Sequence, residues 1–250
     1  MNIKLIAYNA TELEKLKLAG KLAAQALKYV CDKIEIGMKT IDIDDMFDKF
    51  LHGTGGKAAC KGYHGFPANL CVSVNDEACH GIPSDRKIQD GDIVSIDLVV
   101  ELDGFHGDTC FTVGIGNISP VYTKLINTAY SALIEGISAV KLNALLSVVG
   151  KSVEAVVKDT GFSIIKEYCG HGIGRKMHES PLILHYNHMT SQRFINGMCF
   201  TIEPIIAAKQ SKTYIAEDNW TVITKDHSYC AQFEHTIAII DNKVEILTVC

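Results

Sequence analysis

Residues 93–115 read IVSIDLVVELDGFHGDTCFTVGI, and this stretch decides the fold class. Two apolar runs rich in β-branched residues flank Asp103-Gly104, a dipeptide that readily adopts the positive φ angles of a tight hairpin turn. The pattern predicts an antiparallel pair, with residues 93–102 returning as 105–115. With a two-residue turn, Val99 pairs with Asp108. Side chains alternate with a period of two, so Asp97 shares their face. The two aspartates become diagonal neighbours about 7–8 Å apart at Cα. From there both carboxylates can reach cations ~3.5–4 Å apart. Ile96 and Leu98 flank Asp97, while Gly107 permits close backbone approach beside Asp108. An acid buried in such a strand is costly unless something compensates it. An exposed acidic pair on a half-solvated hairpin would give the same local pattern, so residues elsewhere must decide.

Upstream of this hairpin, Thr11 and Glu14 read as a capping box for a helix over 12–32, with Leu13, Leu16, Ala19, Ala23, Leu27 and Val30 on one face. A second helix is expected over 41–51 behind Thr40, then a glycine loop at Gly53, Gly55 and Gly56, then a strand at 70–74. Downstream, helices are expected over 120–140 and 145–159, with Gly161 as a stop, and strands over 198–207, 220–224, 232–240 and 244–248. No linker, charge block or short repeat divides the chain, which predicts one domain over residues 1–250.

Composition narrows the function classes. A chain of 250 residues with 47% hydrophobic and 21% charged content can bury a sizeable α/β core. A formal charge of -5 gives no reason to expect nucleic-acid recognition. Nine cysteines without a C-x-x-C pair argue against a zinc finger and for reduced core thiols. The N-terminal run lacks the long apolar segment of a signal peptide, and no span approaches the ~18 apolar residues of a membrane helix. The expectation is a soluble cytoplasmic protein.

Three more residues join the aspartates. Glu203 in TIEP and Glu234 in QFEHT each sit in an apolar strand pattern with no cation nearby, and Pro204 forces Glu203 into extended backbone. His171 and His178 bracket the glycine-rich stretch GHGIGRKMHESP, whose spacing does not match the zinc-protease H-E-x-x-H helix and predicts a loop. Beside four embedded carboxylates, His171 becomes a plausible nitrogen ligand. Charge balance favours two divalent cations over one. Oxygen-rich sites with one imidazole suit manganese, iron or cobalt and also accept zinc.

The motifs HGIP (80–83), IDL (96–98), HGDT (106–109), GHGIG (170–174), TIEP (201–204) and EHT (234–236) occur in an order and spacing that resembles the type I methionine aminopeptidases of the short form. The resemblance covers nearly the whole chain. It implies the pita-bread α/β fold: two halves related by an approximate twofold, a central curved antiparallel sheet and helices outside. It implies that Asp97, Asp108, His171, Glu203 and Glu234 bind two metals, with Asp108 and Glu234 bridging. Glu203 would handle the proton of the attacking water, His80 would lie near the substrate amine and leaving group, and His178 near the scissile carbonyl. Tyr63, Phe66, Cys71, His80, Met177, His178 and Trp220 would bind substrate. The pattern departs at Met177, where relatives commonly carry phenylalanine, and at Phe66, where many carry tyrosine. The implied activity is metal-assisted removal of the N-terminal methionine from nascent proteins and peptides. The implied enzyme is a monomer with the ribosome as a candidate partner.

Two other readings remain at this point. A proline-directed peptidase of the same fold usually carries a substantial domain ahead of the first aspartate, and here only two helices and a strand precede it. A non-catalytic binding module would typically lack some ligands, whereas all five are present.

Overall fold

The hairpin forms in the expected register. In the computed structural model, which describes residues 5–249, strand Ile93–Leu102 pairs with Phe105–Gly114, and Val99 faces Asp108. Asp103 and Gly104 both have positive φ, at 51° and 78°, as a two-residue turn of this hand requires.

This hairpin lies within a curved nine-stranded sheet. Its main path runs Lys57–Ala58, Ile93–Leu102, Phe105–Gly114, Glu234–Ile240, Cys199–Ile202, Gly170–Gly172 and Glu179–Ile183. Cys71–Val74 also pairs with Ile93–Leu102, and Lys243–Ile246 with Glu234–Ile240. Two three-stranded sheets flank it, one of them joining Glu77–Cys79, Val222–Thr224 and Thr213–Ile215.

Four helices cover the outer face in two pairs. The apolar faces of α1 (Ala10–Cys31) and α2 (Thr40–Leu51) form one core with Val72, Val94, Ile96, Leu98 and Val100. Those of α3 (Pro120–Ser138) and α4 (Ser147–Val157) form another with Ile183, Phe200, Ile202, Ile237 and Ile239. Each half thus buries its own helix pair, and the halves join where Phe105–Gly114 pairs with Glu234–Ile240. Gly107 sits close to that seam against α1: a Cβ there would come within 2.6 Å of the Gly20 backbone.

Several local expectations are corrected. Asn9, not Thr11, caps α1: its side chain accepts from the Glu12 N–H while Glu12 accepts from the Asn9 N–H. Thr11 is already inside the first turn. The run 198–207 is two strands, because Pro204 lacks an N–H and cannot continue the ladder. Cys199–Ile202 stays in the large sheet while Ile205–Ala207 joins Cys230–Gln232 and Ser163–Ile164. The run 232–240 likewise breaks at Phe233, between Cys230–Gln232 and Glu234–Ile240. Helix α4 ends at Val157, so Gly161 lies beyond its cap at Lys158. Trp220 precedes the strand expected to contain it, in a turn where Asp218 accepts from the Trp220 and Thr221 N–H groups. His171 belongs to a strand rather than a loop.

Candidate active site

One candidate ligand stands on each of five successive strands. Asp97, Asp108, Glu234 and His171 lie within Ile93–Leu102, Phe105–Gly114, Glu234–Ile240 and Gly170–Gly172, and Glu203 directly follows Cys199–Ile202. Cys110 pairs with Asp97 on one side and with Glu234 on the other, so these side chains fall in one row across the sheet. Asp108 stands two residues from Cys110 and shares its face.

Threonines fix this floor. The Thr201 hydroxyl accepts from the His171 N–H at 3.0 Å and donates to Glu203 Oε1 at 2.7 Å. Thr236 Oγ1 accepts from the Asp108 N–H and donates to the Asp108 carbonyl, while Thr109 Oγ1 donates to the Glu234 carbonyl. His185 Nε2 accepts the Glu203 N–H at 3.1 Å. His171 Nδ1 faces the Gly172 carbonyl at 3.1 Å, so it carries the proton. That leaves the Nε2 lone pair directed at Asp108 Oδ2, 3.8 Å away, and Glu203 Oε1, 3.4 Å away.

The electrostatics call for positive charge. Burial pushes Asp97 up to about 7 and Glu203 up to about 8. Burial, followed by the charge of neighbouring carboxylates, pushes Asp108 and Glu234 well above the usual range. Among the described residues, no lysine or arginine forms an ion pair with any of the four. Asp108 Oδ1 and Glu234 Oε1 are buried without hydrogen-bond partners. Asp108, His171 and Glu234 each offer a ligand atom within 4.8 Å of one another. Hard oxygens, one imidazole nitrogen and unsatisfied acceptors fit divalent cations.

All twelve residues singled out in the sequence line one cavity of about 330 Å³, near the lower end of the ligand-pocket range. Its wall is apolar: Phe66, Cys71 and Met177 are buried together, with Tyr63 and Trp220 packed against them. Phe66 and Trp220 meet edge-to-face at 5.1 Å, and His80 is held edge-on against Tyr168 at 5.5 Å. His178 stands at the rim with Nδ1 2.7 Å from the Tyr63 hydroxyl. Its pKa falls to about 4, through desolvation and then the charge of nearby histidines. Burial lowers His80 as well, so both rings are neutral near pH 7. Cys60, His64 and Val99 also line the cavity. No local pattern marks Cys60 among nine scattered cysteines, or His64, which sits in a short turn with φ of 47°. Val99 could have been found, since it pairs directly with Asp108.

Comparison with known proteins settles the family. Metallopeptidase family M24 matches residues 14–241. The methionine aminopeptidase of Escherichia coli strain K12 is 40% identical over 240 residues, covering 95% of this chain and 91% of that one. The chain belongs to the type I methionine aminopeptidases. A methionine aminopeptidase structure from Rickettsia prowazekii superimposes with a TM-score of 0.96 at 36% identity, covering 98% of this chain and all (100%) of that one. Another, from Thermotoga maritima, gives 0.95 at 36% identity, with 98% and 99% covered. The fold is wider than the activity: a prolidase from Pyrococcus furiosus gives 0.78 at 20% identity, and this chain spans only 66% of it. As a type I methionine aminopeptidase, the chain is a metal-dependent aminopeptidase with the pita-bread fold expected from its motifs.

Proposed function

We propose that the chain works in the cytoplasm as a monomer of one catalytic domain, and that it removes the first methionine from nascent polypeptides with two divalent cations. The observation that carries this reading is the convergence of five ligand side chains, from five successive strands, on the floor of a cavity whose wall is apolar. Asp97, Asp108, His171, Glu203 and Glu234 would hold the cations, with Asp108 and Glu234 shared between them. Divalent cations supply Lewis acidity there, acidifying water and polarising the scissile carbonyl.

The remaining work falls to side chains. Glu203, steadied by Thr201, accepts a proton from the attacking water and returns it to the leaving amine. Neutral His178 donates a hydrogen bond to the developing oxyanion, which a cationic ring at the rim is not needed to do. His80 lies beside the substrate amine and leaving group. Tyr63, Phe66, Cys71, Met177 and Trp220 enclose the methionine side chain, and a methionine in that wall suits a thioether guest. The ribosome, where such N-termini emerge, is the partner this substrate implies.

The test is release of methionine from a Met-Ala-Ser peptide by protein loaded with manganese or cobalt, compared with an Xaa-Pro peptide. Turnover of the first peptide is expected. No turnover with any divalent cation, or a preference for Xaa-Pro, overturns the proposal.

A further inference from the structure

The turn that carries Met177 and His178 links two paired strands, Gly170–Gly172 and Glu179–Ile183. His106 holds the Gly174 carbonyl through its N–H at 2.9 Å, Arg175 pairs with Glu12 at 2.8 Å, and a hydroxyl from the far end of the chain is a further anchor. Tyr8 Oη donates to Glu179 Oε2 at 2.6 Å and accepts from the Arg175 N–H at 3.3 Å. The other carboxylate oxygen, Glu179 Oε1, accepts from the Lys176 N–H at 3.0 Å. Tyr8 is itself fixed, its N–H donating to the Gly197 carbonyl at 2.8 Å and its ring meeting Phe105 edge-on at 6.0 Å. A Cβ at Gly174 would overlap the Tyr8 hydroxyl, so the turn is seated directly on that oxygen. On the cavity side, His178 is held through Nδ1 by Tyr63.

We propose that Tyr8 is a positioning residue for the reaction: its hydroxyl, acting through Glu179 and the Arg175 N–H, sets where the 174–178 turn presents His178 to the scissile carbonyl. Burial, and then the bond to Glu179, raises the Tyr8 pKa, so the hydroxyl keeps its proton and remains a donor. The inference rests on the reading of His178 as an oxyanion donor. A misplacement of about 1 Å at such a donor is enough to slow a reaction severely.

The test is a double-mutant cycle on metal-loaded enzyme with the Met-Ala-Ser peptide, using Tyr8→Phe, His178→Ala and both together. Phenylalanine keeps the ring against Phe105 and removes only the hydroxyl. Tyr8→Phe is expected to lower kcat about 10-fold with KM changed by less than about twofold. His178→Ala is expected to lower kcat about 10² with metal content unchanged. In the His178→Ala background, Tyr8→Phe should then cost less than about twofold. An equal factor in both backgrounds, or no effect in either, overturns the positioning role alone. If His178→Ala itself leaves kcat unchanged, the assignment of His178 fails and this inference with it.

Discussion

The floor and the wall of the cavity are built differently. Every floor residue sits within or at the end of a strand of one sheet, and Asp108, His171, Glu203 and Glu234 each have their backbone or carboxylate tied to a threonine or histidine. Most of the wall comes from loops and turns: Tyr63 from a short 3-10 turn, Met177 and His178 from a hairpin tip, and Trp220 from a turn closed by Asp218, while Cys71 is the exception, on a strand where it pairs with Asp97. Chemistry that needs cations held to tenths of an ångström is placed on hydrogen-bonded strands. Recognition of a flexible side chain is left to segments that can be exchanged without disturbing the sheet.

Two substitutions and a pH series break or sharpen this contrast. The largest effect is expected from Asp108→Asn, which should lower activity at least about 10³-fold if the proposed cation site is right, by removing one of its carboxylate charges. The same change should raise the thermal midpoint of the metal-free protein, since it removes a buried acid with an orphaned oxygen. Residual activity above about a tenth of the parent would show that the floor is not the centre. A smaller effect is expected in the wall: Trp220→Ala should raise KM for methionyl peptides about 10- to 100-fold, through roughly 1.5–3 kcal/mol of lost apolar contact, with metal content unchanged. Loss of metal in that variant would erase the distinction between floor and wall.

The smallest effect is one of pH. Asp97 and Glu203 have folded pKa values raised to about 7 and about 8, so between about pH 6.5 and 8, above the ordinary histidine range, the folded metal-free protein binds more protons than the unfolded chain. Its stability should therefore fall as pH rises through that window, the reverse of the usual salt-bridged carboxylate. Manganese binding near pH 6.5 should release protons, visible as a binding heat that depends on the ionisation enthalpy of the buffer. A buffer-independent heat would contradict it.

How much of this was legible depended on distance along the chain. The Asp97/Asp108 pair was readable to the residue because a two-residue turn fixes the register of its neighbours. Glu203 and Glu234 announced themselves as acids stranded in apolar runs. What no local pattern reveals is that Glu234 pairs beside Cys110, or that Thr201 and Thr236 orient ligands on neighbouring strands. Those relations arise from contacts between segments 30 residues apart, for Thr201 and His171, or more than a hundred, for Thr236 and Asp108. The helix boundary at Asn9 is hidden for a different reason: Asn9 with Glu12 and Thr11 with Glu14 are both chemically competent caps, and only the extended backbone at Asn9 decides between them. The cavity residues Cys60 and His64 carried no signal because a thiol resembles any small apolar group and a turn histidine resembles a solvated one.

The bare contact of Gly107 with Gly20 carries a mechanical consequence. Two main chains touch there with no side chain between them to act as a cushion, one residue from Asp108. Any sliding of the first helix would be handed on undamped to a candidate ligand carboxylate, so the helix is a fixed abutment for the cavity floor as well as a cover for the sheet.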